Sequence, residues 1–263
     1  MAFLFMLSGC RFSYDNIEYR RAKNAVEKKD YPLALKHYER VIKRDPEGKI
    51  SLIAAKEASL ISLIDTKQFN LAIKFLEHIV LYSENEVDRR EAQEKIAFIY
   101  FDKINDYKKA LINYSKLLVI NLPQSKRVEY KQNIAKSDYY LNDFKQALIE
   151  IDDLLKLKLT GQEKFQTLYF QAGIYMAMKK IDEAILVYRG LLKEFPLQAK
   201  KEKVGMSIAV AYEDMNDFNK AIDILNEIKP TYPDLQFIDI KIKRLKQRLA
   251  NLPRAERKSR SSH

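Results

Sequence analysis

Cysteine is nearly absent from this chain of 263 residues, which contains one Cys and no Trp. A single Cys excludes an intramolecular disulfide and any zinc site built from several cysteines. The three His residues are too scattered to indicate a metal site, and we expect His37 and His78 to be ordinary surface residues of helices. The sequence therefore predicts neither a bound metal nor a cofactor.

Glycine is also scarce, and none of the six Gly residues belongs to a phosphate-binding loop or a paired-glycine dinucleotide motif. The metalloprotease motif HExxH and the nucleophile motif GxSxG are missing as well. Acidic pairs such as Asp152 and Asp153 fall beside predicted turns or on helix faces, where solvated helices normally carry them. We therefore expect no catalytic residues and no enzymatic activity.

Long apolar runs are missing too, because no stretch of 18 apolar residues occurs and no mature membrane-spanning helix is expected. The composition, 47% hydrophobic and 32% charged, instead suits a helical array with a core spread along its length. The net charge of +11 is concentrated near the C-terminus, where Asp239 and the residues after it include nine Lys or Arg and two Asp or Glu. The basic balance is therefore a property of the C-terminal tail.

A repeated pattern organises the rest of the chain: an alanine recurs every 37 or 38 residues, three positions after a large apolar residue. The alanines are Ala34, Ala72, Ala110, Ala147, Ala184 and Ala221, and the apolar residues are Tyr31, Phe69, Tyr107, Phe144, Ile181 and Phe218. A small residue such as Ala172 or Ala209 precedes the polar turn of a unit. Since small residues let two helices approach closely, each unit predicts a hairpin of an A helix, a tight turn and a B helix.

Two units depart from this register. Repeat two has Leu60 where the other units place a small residue, with Ala58 and Ser59 beside it. Repeat three is expected to hold one extra residue in its turn, between Tyr100 and Tyr107.

The pattern resembles the tetratricopeptide repeat (TPR), whose usual period is about 34 residues. The resemblance covers roughly residues 19–233 and implies an all-α, right-handed α-solenoid of six TPR-like helical hairpins with a C-terminal capping helix. The predicted segments are a signal peptide (1–9), a linker (10–17), six repeats (18–234), the capping helix (235–250) and a disordered basic tail (251–263). An apolar stripe predicts that the capping helix covers the last repeat: Leu235, Ile238, Ile242, Leu245 and Leu249.

The resemblance also indicates a binding surface, because A-helix residues that point away from the B helix line the concave groove of TPR arrays. By register, this groove is acidic at repeats two and three, where Glu57, Glu91 and Glu94 lie. At repeats four and five it is aromatic and Met-rich, and this group is the candidate partner-binding site: Lys136, Tyr139, Tyr140, Tyr169 and Met176. Tyr and Met suit recognition of a peptide segment. The alternative is that Tyr139 and Tyr169 pack against neighbouring repeats.

The N-terminal motif Leu7-Ser8-Gly9-Cys10 resembles the lipobox of bacterial lipoprotein signal peptides and implies that Cys10 is lipidated. The apolar segment 2–7 is shorter than usual and no Lys or Arg precedes it, which a start codon placed too far downstream would explain. Arg11 implies the outer membrane by the sorting rule for enterobacterial lipoproteins. The alternative is a buried N-terminal segment with an ordinary core Cys.

Together these features predict a non-catalytic, lipid-anchored scaffold of the bacterial cell envelope that helps assemble outer-membrane or envelope complexes. The long repeats and the Phe195-Pro196 and Tyr232-Pro233 breaks resemble the TPR lipoprotein of the barrel-assembly machinery and the TPR protein of the Tol–Pal system. The alternatives are a pilotin-like lipoprotein for pilus or secretin assembly and a cytoplasmic TPR adaptor with a basic tail.

The expected partners are proteins or peptide segments in the groove, and the membrane through the N-terminal lipid. Nucleic-acid binding is not expected, because the repeats show no basic stripe and their aromatic residues are committed to the core. The sequence leaves the oligomeric state open.

Overall fold

A computed structural model describes residues 17–119 and 122–251. Cys10, the predicted signal peptide and nearly all of the basic tail lie outside these residues. The regular secondary structure of the described residues is entirely helical, as predicted. No helix among them is both long and apolar enough to cross a membrane. The chain divides into two compact units, Met1–Leu141 and Asn142–His263, and each is described by itself.

Unit 1 contains three helical hairpins followed by one further A helix. Its described helices are α1 (17–27), α2 (Tyr31–Arg44), α3 (Lys49–Ile64), α4 (Phe69–Tyr82), α5 (Glu86–Phe98), α6 (Tyr107–Leu118) and α7 (Gln124–Tyr140). α5 continues directly into a π-helical segment, Ile99–Ile104. From α2 to α7, each helix packs against the next one in the sequence. The first helix already includes residue 17, which the sequence assigned to the linker.

Unit 2 contains the fourth B helix, two complete hairpins and the C-terminal helix. Its described helices are α8 (Phe144–Leu155), α9 (Gly161–Ala177), α10 (Ile181–Glu194), α11 (Pro196–Lys201), α12 (Val204–Asp214), α13 (Phe218–Ile228) and α14 (Leu235–Asn251). The short helix α11 was not predicted. It begins at a proline, which is favoured at the first turn of a helix because its missing N–H needs no partner there.

The predicted repeat register is confirmed at every B helix. The helices α2, α4, α6, α8, α10 and α13 each begin at the predicted large apolar residue, and the predicted alanine is the fourth residue of each helix. All six alanines have no exposed area: Ala34, Ala72, Ala110, Ala147, Ala184 and Ala221. The alanine recurs, therefore, because each B helix is closely covered at this position.

The turn that precedes each B helix has the same backbone conformation in all six repeats. The residue two before the helix has a positive φ, and these residues are Lys29, Lys67, Asn105, Asn142, Lys179 and Asn216. Asn tolerates this left-handed conformation better than Lys does. The next residue is the N-cap, and its carboxylate accepts a hydrogen bond from the third helical N–H at 3.0–3.2 Å in Asp30, Asp106, Asp143 and Asp217. Gln68 and Lys180 occupy the other two caps without such a bond.

The extra residue predicted in repeat three is confirmed, and repeat two has one as well. The N–H of Asp106 donates a hydrogen bond to the carbonyl of Tyr100, six residues earlier. The N–H of Gln68 donates one to the carbonyl of Ser62 over the same spacing. In repeats one, five and six the equivalent hydrogen bond spans five residues. The π-helical segment takes up the added residue in repeat three, because it holds more residues per hydrogen-bonded turn than an α-helix.

The core is shared between consecutive hairpins in each unit. Tyr38 of α2, Ala58 of α3 and Phe75 of α4 belong to one buried cluster, for example. Tyr38 is fully buried and Tyr188 is 5% exposed, so these B-helix aromatic residues are core residues, as predicted for the repeats. Each hairpin therefore depends on its neighbours for burial of its apolar faces.

The prediction that His37 and His78 are surface residues was wrong. His37 is buried because α1 covers this side of α2, and its Nδ1 lies 2.7 Å from Glu18 Oε2. Glu18 is itself 1% exposed and also accepts hydrogen bonds from Arg21 and Arg40. Burial raises the pKa of Glu18, but these three hydrogen bonds outweigh it and hold the pKa below its usual value. His78 is half-buried, and its burial lowers its pKa.

The C-terminal helix α14 packs on α13, as expected of a capping helix. Ile238, Ile242 and Leu245 are buried and Leu249 packs beside them. Leu235, the first residue of the predicted stripe, is instead 51% exposed, because it begins the helix at the edge of this contact.

A carboxylate on α12 forms ion pairs with several side chains of the basic face of α14. Glu213 is 9% exposed, and its oxygens lie 2.7 Å from Lys241 Nζ, 3.1 Å from Arg244 Nη2 and 2.5 Å from Arg248 Nη1. Burial raises the pKa of Glu213, but the hydrogen bond from Lys241 and the three positive charges outweigh it, so the pKa lies below its usual value. Three of the basic residues of α14 are therefore used to attach the helix to the last repeat.

We expect Lys180→Asn to raise the free energy of unfolding by about 1 kcal/mol, because Asn would supply the N-cap hydrogen bond that Lys180 does not make. Asp217→Ala removes the same bond from α13 and should lower the free energy by a similar amount. Urea unfolding of both variants measures these changes. A fall in stability for Lys180→Asn would contradict the shared turn geometry.

We expect Glu213→Gln to lower the free energy of unfolding at pH 7 by about 1–3 kcal/mol, since it leaves three cations without their carboxylate. The contribution of Glu213 is present above its unfolded pKa of about 4.3 and is lost as the pH falls through the lower folded pKa. The difference between wild type and variant should therefore vanish in acid. Glu227→Gln, at an exposed position on α13, is the control. A difference that persists unchanged in acid would contradict this assignment.

Candidate protein-binding site

Four rings from consecutive repeats form an aromatic cluster in unit 1: Phe101, Tyr107, Tyr139 and Tyr140. Tyr140 stacks on Tyr107 with centroids 4.5 Å apart and planes 17° apart. Phe101 meets both rings edge-on, at 5.6 Å from Tyr107 and 6.0 Å from Tyr140. Tyr139 lies 5.5 Å from Tyr140, also edge-on. Two of the five predicted site residues therefore lie in one continuous aromatic surface.

The repeat turns position this aromatic cluster. Phe101 lies in the π-helical segment, Tyr107 begins α6, and Tyr139 and Tyr140 end α7. The turn end of α7 therefore rests against the turn of the preceding hairpin. Tyr140 remains 51% exposed despite its ring contacts, and the other three rings are partly exposed. Lys136 lies one helical turn before Tyr140 on α7 and adds a positive charge beside the cluster.

The other two predicted site residues, Tyr169 and Met176, lie on α9 in unit 2 and have packing contacts. Tyr169 stacks on Phe165 at 6.0 Å, lies 5.8 Å from the ring of Tyr188, and places its hydroxyl 3.3 Å from Ser207 Oγ on α12. Met176 packs against the same buried cluster. Since the predicted residues are divided between two units, their convergence into one patch stays a prediction.

The acidic groove position of repeat two is neutralised by its surroundings. Glu57 accepts hydrogen bonds from the hydroxyls of Tyr19 and Tyr38, at 3.0 and 2.5 Å, and from Lys23 Nζ at 3.1 Å. Burial raises the pKa of Glu57, but these hydrogen bonds outweigh it and lower the pKa. Burial and the adjacent carboxylate raise the pKa of Tyr19 to about 12.

Repeat three shows a related arrangement around Glu94 on α5. The hydroxyl of Tyr130 donates to this carboxylate, Lys126 Nζ lies 3.3 Å from it, and Arg90 Nε lies 3.7 Å from it. Burial raises the pKa of Tyr130, and so does the hydrogen bond to Glu94. Glu57 and Glu94 therefore hold neighbouring A helices together and do not present free negative charge.

These tyrosine–carboxylate pairs were not predicted from the sequence, although the spacing of the paired residues indicates them. Tyr19 and Glu57 are 38 residues apart, and Glu94 and Tyr130 are 36 apart, so each pair spans about one repeat. Side chains separated by one repeat fall on neighbouring A helices, where a hydroxyl and a carboxylate can meet.

The sequence profile of the family described as Tetratricopeptide repeat matches two segments of the chain, residues 18–48 and 166–197. The first segment covers the first hairpin, and the second covers most of α9 and all of α10. No curated protein matches the chain by sequence.

Several solved structures share the fold at low sequence identity. A tetratricopeptide repeat protein from Parabacteroides merdae ATCC 43184 is 15% identical, with a TM-score of 0.54, and the match covers 90% of this chain and 89% of that one. YrrB, described as a TPR protein with an unusual peptide-binding site, is 16% identical, with a TM-score of 0.51 and coverage of 78% and 97%. A chain of the Naa15/Naa10 complex bound to HypK-THB is 15% identical, with a TM-score of 0.56 and coverage of 89% and 39%.

The helical-hairpin repeats, the recurring buried alanine and the profile matches agree with one another. Two segments of the chain match the tetratricopeptide repeat, and the fold of the chain is that of TPR proteins.

Proposed function

We propose that this protein is a non-catalytic scaffold that binds peptide segments of partner proteins through its repeats. The observation that carries the proposal is the aromatic cluster Phe101, Tyr107, Tyr139 and Tyr140, whose Tyr140 ring is 51% exposed although it is held by neighbouring rings. YrrB, which shares the TPR fold, is described as having a peptide-binding site. A peptide is the same class of ligand as the one proposed here.

The cluster has the physical properties of an interaction surface. An ordered tyrosine offers apolar area and a hydroxyl, and it loses little conformational entropy on binding because stacking already holds its ring. Tyr is among the residues that most often dominate binding energy at protein interfaces. Lys136 adds a charge that a partner carboxylate can meet. Tyr169 and Met176, which are packed in unit 2, are proposed to support the fold.

We further propose that the scaffold is lipid-anchored in the bacterial cell envelope, on the periplasmic face of the outer membrane, and helps assemble envelope complexes. The support is the motif Leu7-Ser8-Gly9-Cys10, which lies outside the described residues. Two or three acyl chains at Cys10 would anchor the protein stably, whereas a single chain would not. The alternatives are a pilotin-like lipoprotein for pilus or secretin assembly and a cytoplasmic adaptor with a basic tail, and the latter requires that Cys10 is not lipidated.

We expect Tyr140→Ala to weaken binding to a protein partner by about 1–2 kcal/mol and to change the melting temperature little, because Tyr140 is half-exposed. The partner is first identified by pull-down from detergent-solubilised envelopes and mass spectrometry, and its affinity is then measured with purified protein. Tyr169→Ala should do the opposite: it should lower the melting temperature and leave the affinity of the folded fraction intact.

Ile64→Ala is the matched control for loss of an exposed apolar side chain in unit 1, since Ile64 is 65% exposed and lies outside the aromatic cluster. It should change neither affinity nor stability by more than a few tenths of a kcal/mol. Unchanged affinity of Tyr140→Ala would exclude the aromatic cluster as the binding surface.

Metabolic labelling with an alkyne fatty acid is expected to tag the wild-type protein in bacterial cells and to leave Cys10→Ala unlabelled. The reason is that the thiol of Cys10 is the only thiol of the chain that can take the thioether-linked lipid. Equal labelling of both proteins, or of neither, would contradict the lipid anchor.

A further inference from the structure

Unit 2 contains an apolar cavity of about 440 Å³ between its two complete hairpins, the fifth and sixth of the chain. It is bounded by the end of α10, by α11, by the start of α12 and by the end of α13. Its apolar lining includes Leu192, Leu197, Met206, Ile228, Tyr232 and Pro233. A volume of this size lies within the range of pockets that hold small ligands or anchoring side chains.

The unpredicted helix α11 forms one side of this cavity. Pro196 begins α11 directly after α10, and Leu197, its second residue, is 85% exposed at the cavity edge. On the opposite side, Gly205 of α12 lies so close to α13 that an added Cβ would approach Ile228 Cγ2 to 2.6 Å. The cavity therefore has a fixed wall of α12 and α13 and an exposed leucine at its edge.

Three lysines contribute to the lining of the same cavity: Lys200, Lys201 and Lys203. Lys203 Nζ lies 5.5 Å from the ring centroid of Tyr232, in a cation–π contact. No carboxylate of the described residues lies within 4.0 Å of these three ammonium groups. Some other lysines of unit 2 do form ion pairs, as Lys164 does with Glu194 at 2.5 Å. The segment 200–203 also contains Glu202, so three Lys and one Glu give it a net charge of +2 beside the cavity.

We propose that this cavity binds an acidic peptide segment that inserts one apolar or aromatic side chain between its own Asp and Glu residues. The proposal rests on the proposed function, because the occupant is a segment of a partner protein. Apolar walls recognise the inserted side chain, and three cations at residues 200–203 match several carboxylates better than the single one of a fatty acid. The site shares no residue with the aromatic cluster of unit 1.

The test uses the full chain and a fluorescein-labelled peptide, Asp-Glu-Leu-Phe-Glu-Asp, in an anisotropy titration. We expect saturable binding that weakens when salt rises, when Leu-Phe is replaced by Ser-Ser, or when the acidic residues are replaced by amides. Lys200→Gln, Lys201→Gln and Lys203→Asn in one variant should weaken binding by about tenfold or more. Asn at residue 203 is chosen because the φ of 55° there is one that Asn tolerates.

Two matched controls make the same changes of charge and hydrophobicity at positions that do not line the cavity. A second triple variant, Lys145→Gln, Lys243→Gln and Lys246→Gln, removes three exposed lysines of unit 2 that do not line the cavity. Leu197→Asp should abolish binding, whereas Leu186→Asp, at a position 73% exposed on α10, should weaken it about twofold at most. Both leucines are exposed, so neither variant is expected to unfold the protein.

Several results would overturn the proposal: no binding of the peptide, equal losses in the two triple variants, or binding of decanoate in place of the peptide. The proposed function is tested separately, by the effect of Tyr140→Ala on the affinity for the identified partner. Failure of the peptide with a normal Tyr140 result removes the cavity site and leaves the scaffold in place. Failure at Tyr140 with peptide binding intact removes the aromatic cluster and keeps the cavity.

Discussion

The close contact at the fourth residue of each B helix is the constraint on which the rest of the structure depends. All six alanines at this position are fully buried, so a larger side chain would have to move a neighbouring helix. The contact sets the register of the hairpin, and the register places a left-handed residue and an N-cap in the preceding turn. Buried clusters that span consecutive hairpins then fix the position of each hairpin relative to the next one within a unit.

The same packing decides which polar and aromatic groups remain available for a partner. Glu57 and Glu94 are paired with tyrosines and lysines one repeat away, and Glu213 is paired with the capping helix. Tyr169 has ring and hydroxyl contacts within unit 2. Two surfaces of the described residues that remain available are the aromatic cluster around Tyr140 and the lysine-lined cavity beside α11. The cluster lies beside the π-helical turn of repeat three, and the cavity lies between two hairpins beside α11, so both adjoin segments that depart from the regular repeat.

The sequence predicted the B helices closely, because the steric requirement at each alanine repeats at a fixed spacing and needs no knowledge of distant contacts. The added residue of repeat three was predictable for the same reason, since it shifts the register by one position. The left-handed residue of each turn also recurs at a fixed position, but Lys and Asn share it, so no single residue type marks it.

The site was less predictable, because the exposure of a side chain depends on its contacts with residues of neighbouring helices. Tyr140 and Tyr169 were assigned to the same groove, yet one is half-exposed and the other packs against Phe165 and Ser207. His37 was placed on the surface because its partner Glu18 lies on another helix, 19 residues away. Helix α11 was missed since its six residues are too few to show a helical period.

The most direct test of the account is urea unfolding of Ala184→Trp and Ala221→Trp, compared with Ala177→Trp at an exposed position of α9. Overpacking at the two buried positions is expected to lower the free energy of unfolding by about 1–3 kcal/mol or more, whereas the exposed control should change it little. Unchanged unfolding of both buried variants would show that the alanines do not mark close helix contacts, and it would contradict the repeat register on which the account rests.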